Sequence, residues 1–149
     1  MIKKSLSLFL VLYFALIFNS DFLQAKQLPC TPWVPYGDLK EIPFYEDCDV
    51  TQGDMAIART NGIYWCPEVA ERLDKQSPGI SHFIYVHEYG HYVKGNDELA
   101  TDCWAAQELK NTCYIPAAIY FFLKHGNVYK ENYGYMRDRA KMIQKCSSE

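Results

Sequence analysis

The stretch His87-Glu88-Tyr89-Gly90-His91, followed by Glu98-Leu99-Ala100-Thr101-Asp102, decides how the rest of the chain has to be arranged. His87 and His91 stand four positions apart. On an α-helix they lie one turn above each other and point the same way, which suits two imidazole nitrogens converging on one metal ion. Glu88 sits beside them, placed to hold a metal-bound water rather than the metal itself. Two ligands do not complete a zinc site: a catalytic one takes three protein ligands and keeps one position open. Glu98, early in a second helical stretch, is the best third ligand in the sequence.

H-E-x-x-H fixes only three positions and also turns up in helices that bind nothing, so the surroundings decide its weight. Ile80-Ser81-His82-Phe83-Ile84-Tyr85-Val86 is apolar enough to bury the helix that carries the motif. Lys94-Gly95 offers a helix stop, and Asn96 or Asp97 an N-cap for the next helix, so the two helices fold back across a very short turn. In that hairpin Glu98 approaches His91. Asp102, one turn further along the same face, falls where it accepts a hydrogen bond from the far ring nitrogen of a ligating histidine.

His87-Glu88-x-x-His91 with Glu98-x-x-x-Asp102 resembles the gluzincin arrangement of zinc metallopeptidases, in which two histidines of one helix and a glutamate of the next bind zinc. The resemblance covers about residues 55 to 110, and its short spacing from His91 to Glu98 is closer to compact bacterial zincins than to thermolysin-like members. It implies His87, His91 and Glu98 as zinc ligands, Glu88 as the general base and Asp102 as a support to a ligating histidine. It also implies an α+β fold in which a β-hairpin or sheet lies beside the motif helix. A metzincin pattern would place a glycine and a ligand where Lys94 and Asp97 stand; Asp97 therefore stays open as an alternative third ligand behind Glu98.

Residues 1–25 read as a signal peptide: Lys3 and Lys4 make a positive start, Leu6 to Phe18 is almost wholly apolar, and Leu23-Gln24-Ala25 ends on a small residue. The apolar run is short for a membrane span. The expectation is an exported chain, periplasmic or secreted, with no stable membrane insertion after cleavage and a single disulfide-stabilised zincin-like domain over 26–149. All six cysteines, Cys30, Cys48, Cys66, Cys103, Cys113 and Cys146, follow the signal. An even count in an exported chain of this size favours three disulfides, whose connectivity stays open, and the absence of any C-x-x-C pair argues against a cysteine-ligated zinc. The net charge of −3 is mild and the basic residues are scattered, so no nucleic-acid partner is expected.

From Lys26 to Asp54 prolines block long regular elements and the segment is expected to wrap the core, with Trp33, Tyr36, Phe44 and Tyr45 packing onto it. Met55 to Thr60 and Ile63 to Cys66 flank Asn61-Gly62, a two-residue hairpin signal. The hairpin is a candidate for binding an extended peptide by strand addition. Glu68 to Lys75 reads as a short helix, 115–124 as a buried helix with Pro116 in its first turn, and Tyr135 to Lys145 as a helical tail.

Together these readings describe a zinc peptidase acting on a peptide or protein substrate. Glu88 would take a proton from zinc-bound water and pass it to the leaving amine. A donor to the developing oxyanion is also needed, and His125, Tyr114, Tyr120, Tyr129, Tyr133 and Tyr135 are all able to serve. Two alternatives remain: a secreted disulfide-rich binding or inhibitory protein that keeps zinc structurally, and a disulfide scaffold that carries the motif by chance.

Overall fold

The computed structural model describes residues 28–127, 129–130 and 134–149; the expected signal peptide lies outside them. The proline-rich start makes a 3₁₀ turn (Gly37–Glu41), a short strand β1 (Phe44–Glu46) and one turn of helix α1 (Cys48–Thr51). Strands β2 (Ala56–Arg59) and β3 (Gly62–Trp65) follow, then helices α2 (Pro67–Asp74), α3 (Ile80–Lys94), α4 (Glu98–Glu108) and α5 (Tyr114–Lys124). A two-stranded antiparallel ribbon, β4 (Tyr129–Lys130) with β5 (Gly134–Tyr135), leads into α6 (Met136–Ser148). The fold is therefore mixed α+β: six helices and a small three-stranded sheet, with three disulfides among the described residues. None of these helices is long and apolar enough to cross a membrane.

Helix α3 organises the core because its own sequence buries it: Ile80, Phe83 and Val86 are fully enclosed. Asp74, just before it, caps its first turn by accepting from the Gly79 and Ser81 amides at 3.2 and 3.0 Å. Gly95 (φ 72°) ends it, returning its N–H to the His91 carbonyl at 2.9 Å. Two residues later the Asp97 carboxylate accepts from Ala100 N at 3.0 Å and starts α4. The short helical hairpin expected from Lys94 to Asp97 is thus formed, with Asp97 as the cap.

In the sheet β3 is central, parallel to β1 and antiparallel to β2. The hairpin turn differs by one residue from the expected Asn61-Gly62. Arg59 pairs with Gly62, so the loop is Thr60-Asn61, and only Gly62 takes a positive φ, 146°. A type I′ turn needs positive φ at both central residues. Here Gly62 instead lets the chain pass Pro43, whose carbonyl oxygen would be only 2.7 Å from an added Cβ. Strand β1 has no counterpart in the sequence reading; it is three residues long and its pairing is entirely non-local.

The disulfides Cys30–Cys113, Cys48–Cys66 and Cys103–Cys146 use all six cysteines and leave none free. The first ties the wrapping segment to the start of α5, the second ties α1 to the end of β3, and the third ties α4 to α6. Three such bridges place the folded chain in oxidising surroundings. Helix α5 is less buried than its composition suggests. Ile115, Ala118 and Phe122 face the core, whereas Tyr120 and Leu123 are more than half exposed.

Helices α3 and α4 approach closely at Gly90, where an added Cβ would lie 2.8 Å from Thr101 Cγ2 and 2.9 Å from the Trp104 ring. Both neighbours are buried side chains that have little room to move. Gly90→Ala should therefore lower stability by about 1–3 kcal/mol in urea unfolding, even though alanine is the better helix former. Unchanged or higher stability would show that the two helices separate at no cost.

Candidate metal centre

Donor atoms of His87, Glu88 and His91 come within 4.8 Å of one another on the buried face of α3. Glu98, in the first turn of α4, closes on the same point. Its Oε2 lies 3.1 Å from His87 Nε2 and its Oε1 3.6 Å from His91 Nε2. The far ring nitrogens are occupied: His87 Nδ1 is 2.9 Å from Asp102 Oδ1, and His91 Nδ1 is 2.8 Å from the Gly95 carbonyl oxygen. With Nδ1–H donated outward, the Nε2 atom of each histidine is the one left to face an ion.

The residues fit a metal. Two donors each about 2.0–2.2 Å from a tetrahedral ion stand roughly 3.3–3.6 Å apart; His91 Nε2 to Glu98 Oε1 at 3.6 Å lies at that spacing and His87 Nε2 to the other oxygen, Oε2, at 3.1 Å is slightly closer. Glu98 Oε2 is buried beside His87 yet has no well-directed hydrogen bond among the described residues, so a lone pair there remains to be used. Asp97 is committed to the α4 cap through its bond to Ala100 N, which leaves Glu98 as the α4 carboxylate beside the two histidines.

Charge follows the same geometry. Burial alone would lower the His87 pKa, but the neighbouring carboxylates of Asp102 and Glu98 outweigh it and lift the pKa to about 9. Burial pushes the Glu88 carboxyl above the usual carboxylate range, although both histidines and the Ala58 N–H, which donates to it, pull the other way. A raised carboxylate pKa suits a group that has to accept and release a proton near neutrality.

The residue that sequence reasoning missed is Arg139 of α6. Its Nε and Nη2 fork onto Asp102 at 2.7 and 2.8 Å. Nη2 also lies 3.4 Å from His87 Nδ1 and 3.7 Å from Glu98 Oε2. The guanidinium stacks 4.5 Å over the Phe122 ring and is almost wholly buried. Burial raises the pKa of Asp102, yet Arg139 and His87 together hold it below its ordinary value. A signal was present in the sequence. Met136, Arg139, Ala140, Ile143 and Cys146 form one helical stripe, and the stripe is buried, so a lone arginine on it requires a buried acidic partner.

Of the possible oxyanion donors, His125 lines a cavity of about 310 Å³ together with His87, Glu88 and Arg139. Tyr114 donates to the Cys30 carbonyl at 3.1 Å, and Tyr120 and Tyr135 are exposed and do not line that cavity. The side chains of Tyr129 and Tyr133 lie outside what is described. Trp33, offered as a packing residue, packs against Tyr36, Tyr85, Tyr89 and Trp104. Compared with models of protein families, with curated proteins and with solved structures, the chain matches none.

Proposed function

We propose that the chain is an exported zinc-dependent peptidase with a compact, gluzincin-like centre. The observation that carries this reading is the Glu98 carboxylate set between the two Nε2 atoms, at 3.1 and 3.6 Å, with both histidines oriented from behind. His87, His91 and Glu98 would hold the ion. Zinc, when bound there, would supply Lewis-acid activation of a water and of the scissile carbonyl.

The chain's own groups account for the remaining steps. Glu88 accepts a proton from the attacking water and delivers it to the departing amine nitrogen, helped by a burial-raised pKa. Substrate alignment falls to β2, an edge strand. Cys66 N donates to the Met55 carbonyl oxygen at 2.8 Å, which fixes the alternation of paired and unpaired groups. The peptide groups of Ala56 and Ala58 therefore point away from β3, and Ala58 N–H reaches Glu88. An extended peptide paired with that edge would run past Glu88.

A second reading has one observation in its favour. Arg139 of a third helix braces Asp102, which in turn holds His87, so the cluster would also serve, with zinc held and no turnover, as a structural staple in a secreted binding or inhibitory protein. Metal analysis followed by a broad peptide-cleavage screen separates the two. The oxidised mature chain should hold about one zinc, and His91→Ala and Glu98→Ala should each lose most of it. Zinc held firmly without any cleavage would favour the staple, and full retention of zinc in both variants would remove the ligand assignment.

A further inference from the structure

The segment 31–42 runs between two fixed ends. Behind it, the Cys30–Cys113 bridge holds the chain to the start of α5, with Cys113 N donating to the Pro29 carbonyl and the Tyr114 hydroxyl to that of Cys30. Ahead of it, the Pro43 carbonyl accepts from Ile63 N at 2.9 Å where β1 joins the sheet. Most of the residues between are exposed, and Trp33, Leu39 and Ile42 are the ones that pack against the core. Among the described residues, the hydrogen bonds from this segment to the rest of the chain end on two side chains. Trp33 N–H donates to His82 Nε2 at 2.8 Å, and Glu108 accepts from Trp33 Nε1–H at 2.8 Å and from the Tyr36 hydroxyl at 2.9 Å. A segment held by so few contacts opens more readily than the core beneath it.

His82 carries the anchor that depends on protonation. A backbone amide only donates, so Nε2 has to present a lone pair and the ring proton sits on Nδ1. An imidazolium has an N–H at both nitrogens, and a ring turned over shows a C–H instead, so no orientation of the protonated ring accepts from Trp33. Tyr114 and Tyr85 flank the ring, with centroids 4.2 and 5.7 Å away, and neither brings a charge. Asp74, which caps the first turn of α3, is the charged neighbour that favours protonation of His82. Burial outweighs it and holds the His82 pKa below the ordinary value of 6.5. Glu108, on α4, faces Trp33 and Tyr36.

We infer that residues 31–42 form a strap that acid releases, with His82 Nε2 as the latch: a proton taken up there expels the Trp33 amide and lets the strap lift from α3. In the open form His82 stands in water and binds a proton near its ordinary 6.5; in the closed form it binds one less readily. At neutral pH neither form is protonated and closure keeps its full advantage. Below about 6.5 the open form takes up an extra proton, and opening becomes more favourable by up to about tenfold per pH unit until the closed form titrates as well. The Trp33 ring lies 5.2 Å from that of Tyr89 and 5.9 Å from that of Trp104, which are only 3 and 8% exposed. Its departure turns a covered aromatic face outward, on the side of α3 away from His87 and His91.

Amide hydrogen exchange in the oxidised chain, expressed as protection relative to the unstructured rate, reads the latch directly. Between about pH 7.5 and pH 5 the protection of the Trp33 amide should fall by roughly three- to thirty-fold, the upper figure being one proton over about 1.5 pH units. The amide of Val86, fully enclosed in α3, should hold its protection over the same range. His82→Gln keeps an acceptor that does not titrate, so Trp33 protection in that variant should stay level. Trp33 protection that ignores pH in the parent would overturn the latch, a result that needs no variant to fold. An equal fall at Val86 would mean that acid unfolds the whole domain rather than lifting a strap. A pH dependence that survives His82→Gln would move the latch to another group and overturn the assignment to His82.

Discussion

Glu88→Gln should leave zinc content and fold as they are and cut peptide hydrolysis by about 10²-fold or more. Glutamine keeps the size of the side chain and can still accept from the Ala58 N–H, but it has no carboxylate to take a proton from water. It also lies outside the set of His87, His91 and Glu98, so the ion should stay in place. Zinc analysis and initial rates on the best substrate from the cleavage screen check both halves. A glutamine variant as fast as the parent would mean that Glu88 is not the base. Loss of zinc would mean that Glu88 is a ligand, as its place within 4.8 Å of both histidines would also permit.

Arg139→Met should be the most damaging change to the fold outside the cysteines. Asp102 is fully enclosed and Arg139 is the cation that answers it through two hydrogen bonds of 2.7 and 2.8 Å. Removing the guanidinium leaves this enclosed carboxylate with only the His87 Nδ1 contact at 2.9 Å, at a cost of about 3 kcal/mol or more in urea unfolding. Because Asp102 also orients His87, zinc affinity measured against a chelator should fall by roughly 10- to 100-fold. Arg139→Lys should recover only part of this, since one ammonium cannot reproduce the planar fork. A stability loss under about 1 kcal/mol would show that the surroundings absorb the stranded carboxylate.

The centre was legible where its logic is local. His87, Glu88 and His91 lie on one helix, and a Gly95 stop followed at once by the Asp97 cap leaves little choice about where Glu98 and Asp102 arrive. Apolar residues from Ile80 to Val86 announced the burial of that helix. What escaped depends on contacts between distant segments. Arg139 is 37 residues from Asp102, and its tail reads as a charged amphipathic helix until the position of the arginine on the apolar stripe is noticed. Gly90 looks like a weak spot in a helix, and only the approach of Thr101 and Trp104 shows why a side chain is absent there. Strand β1 is too short, and its partner too far along the chain, to leave a pattern. The hairpin turn slid by one residue because Gly62 is needed for its passage beside Pro43 rather than for the tip of the turn. Pairing among the six cysteines has no local signal at all.

The bridge from Cys103 to Cys146 gives the centre a dependence on timing. Cys103 follows Asp102 directly, and Cys146 lies two helical turns beyond Arg139 on the same face, so this one bond fastens together the two helices that carry the buried ion pair. Closing a loop of 43 residues is worth about 4 kcal/mol in the chain-entropy account. A newly made chain whose thiols are still reduced lacks that constraint, and the carboxylate and guanidinium must find each other by packing alone. Maturation of the centre is then tied to the compartment in which the thiols are oxidised. Two sulfurs that touch neither His87 nor Asp102 thereby hold in register the helices whose side chains fix the His87 ring.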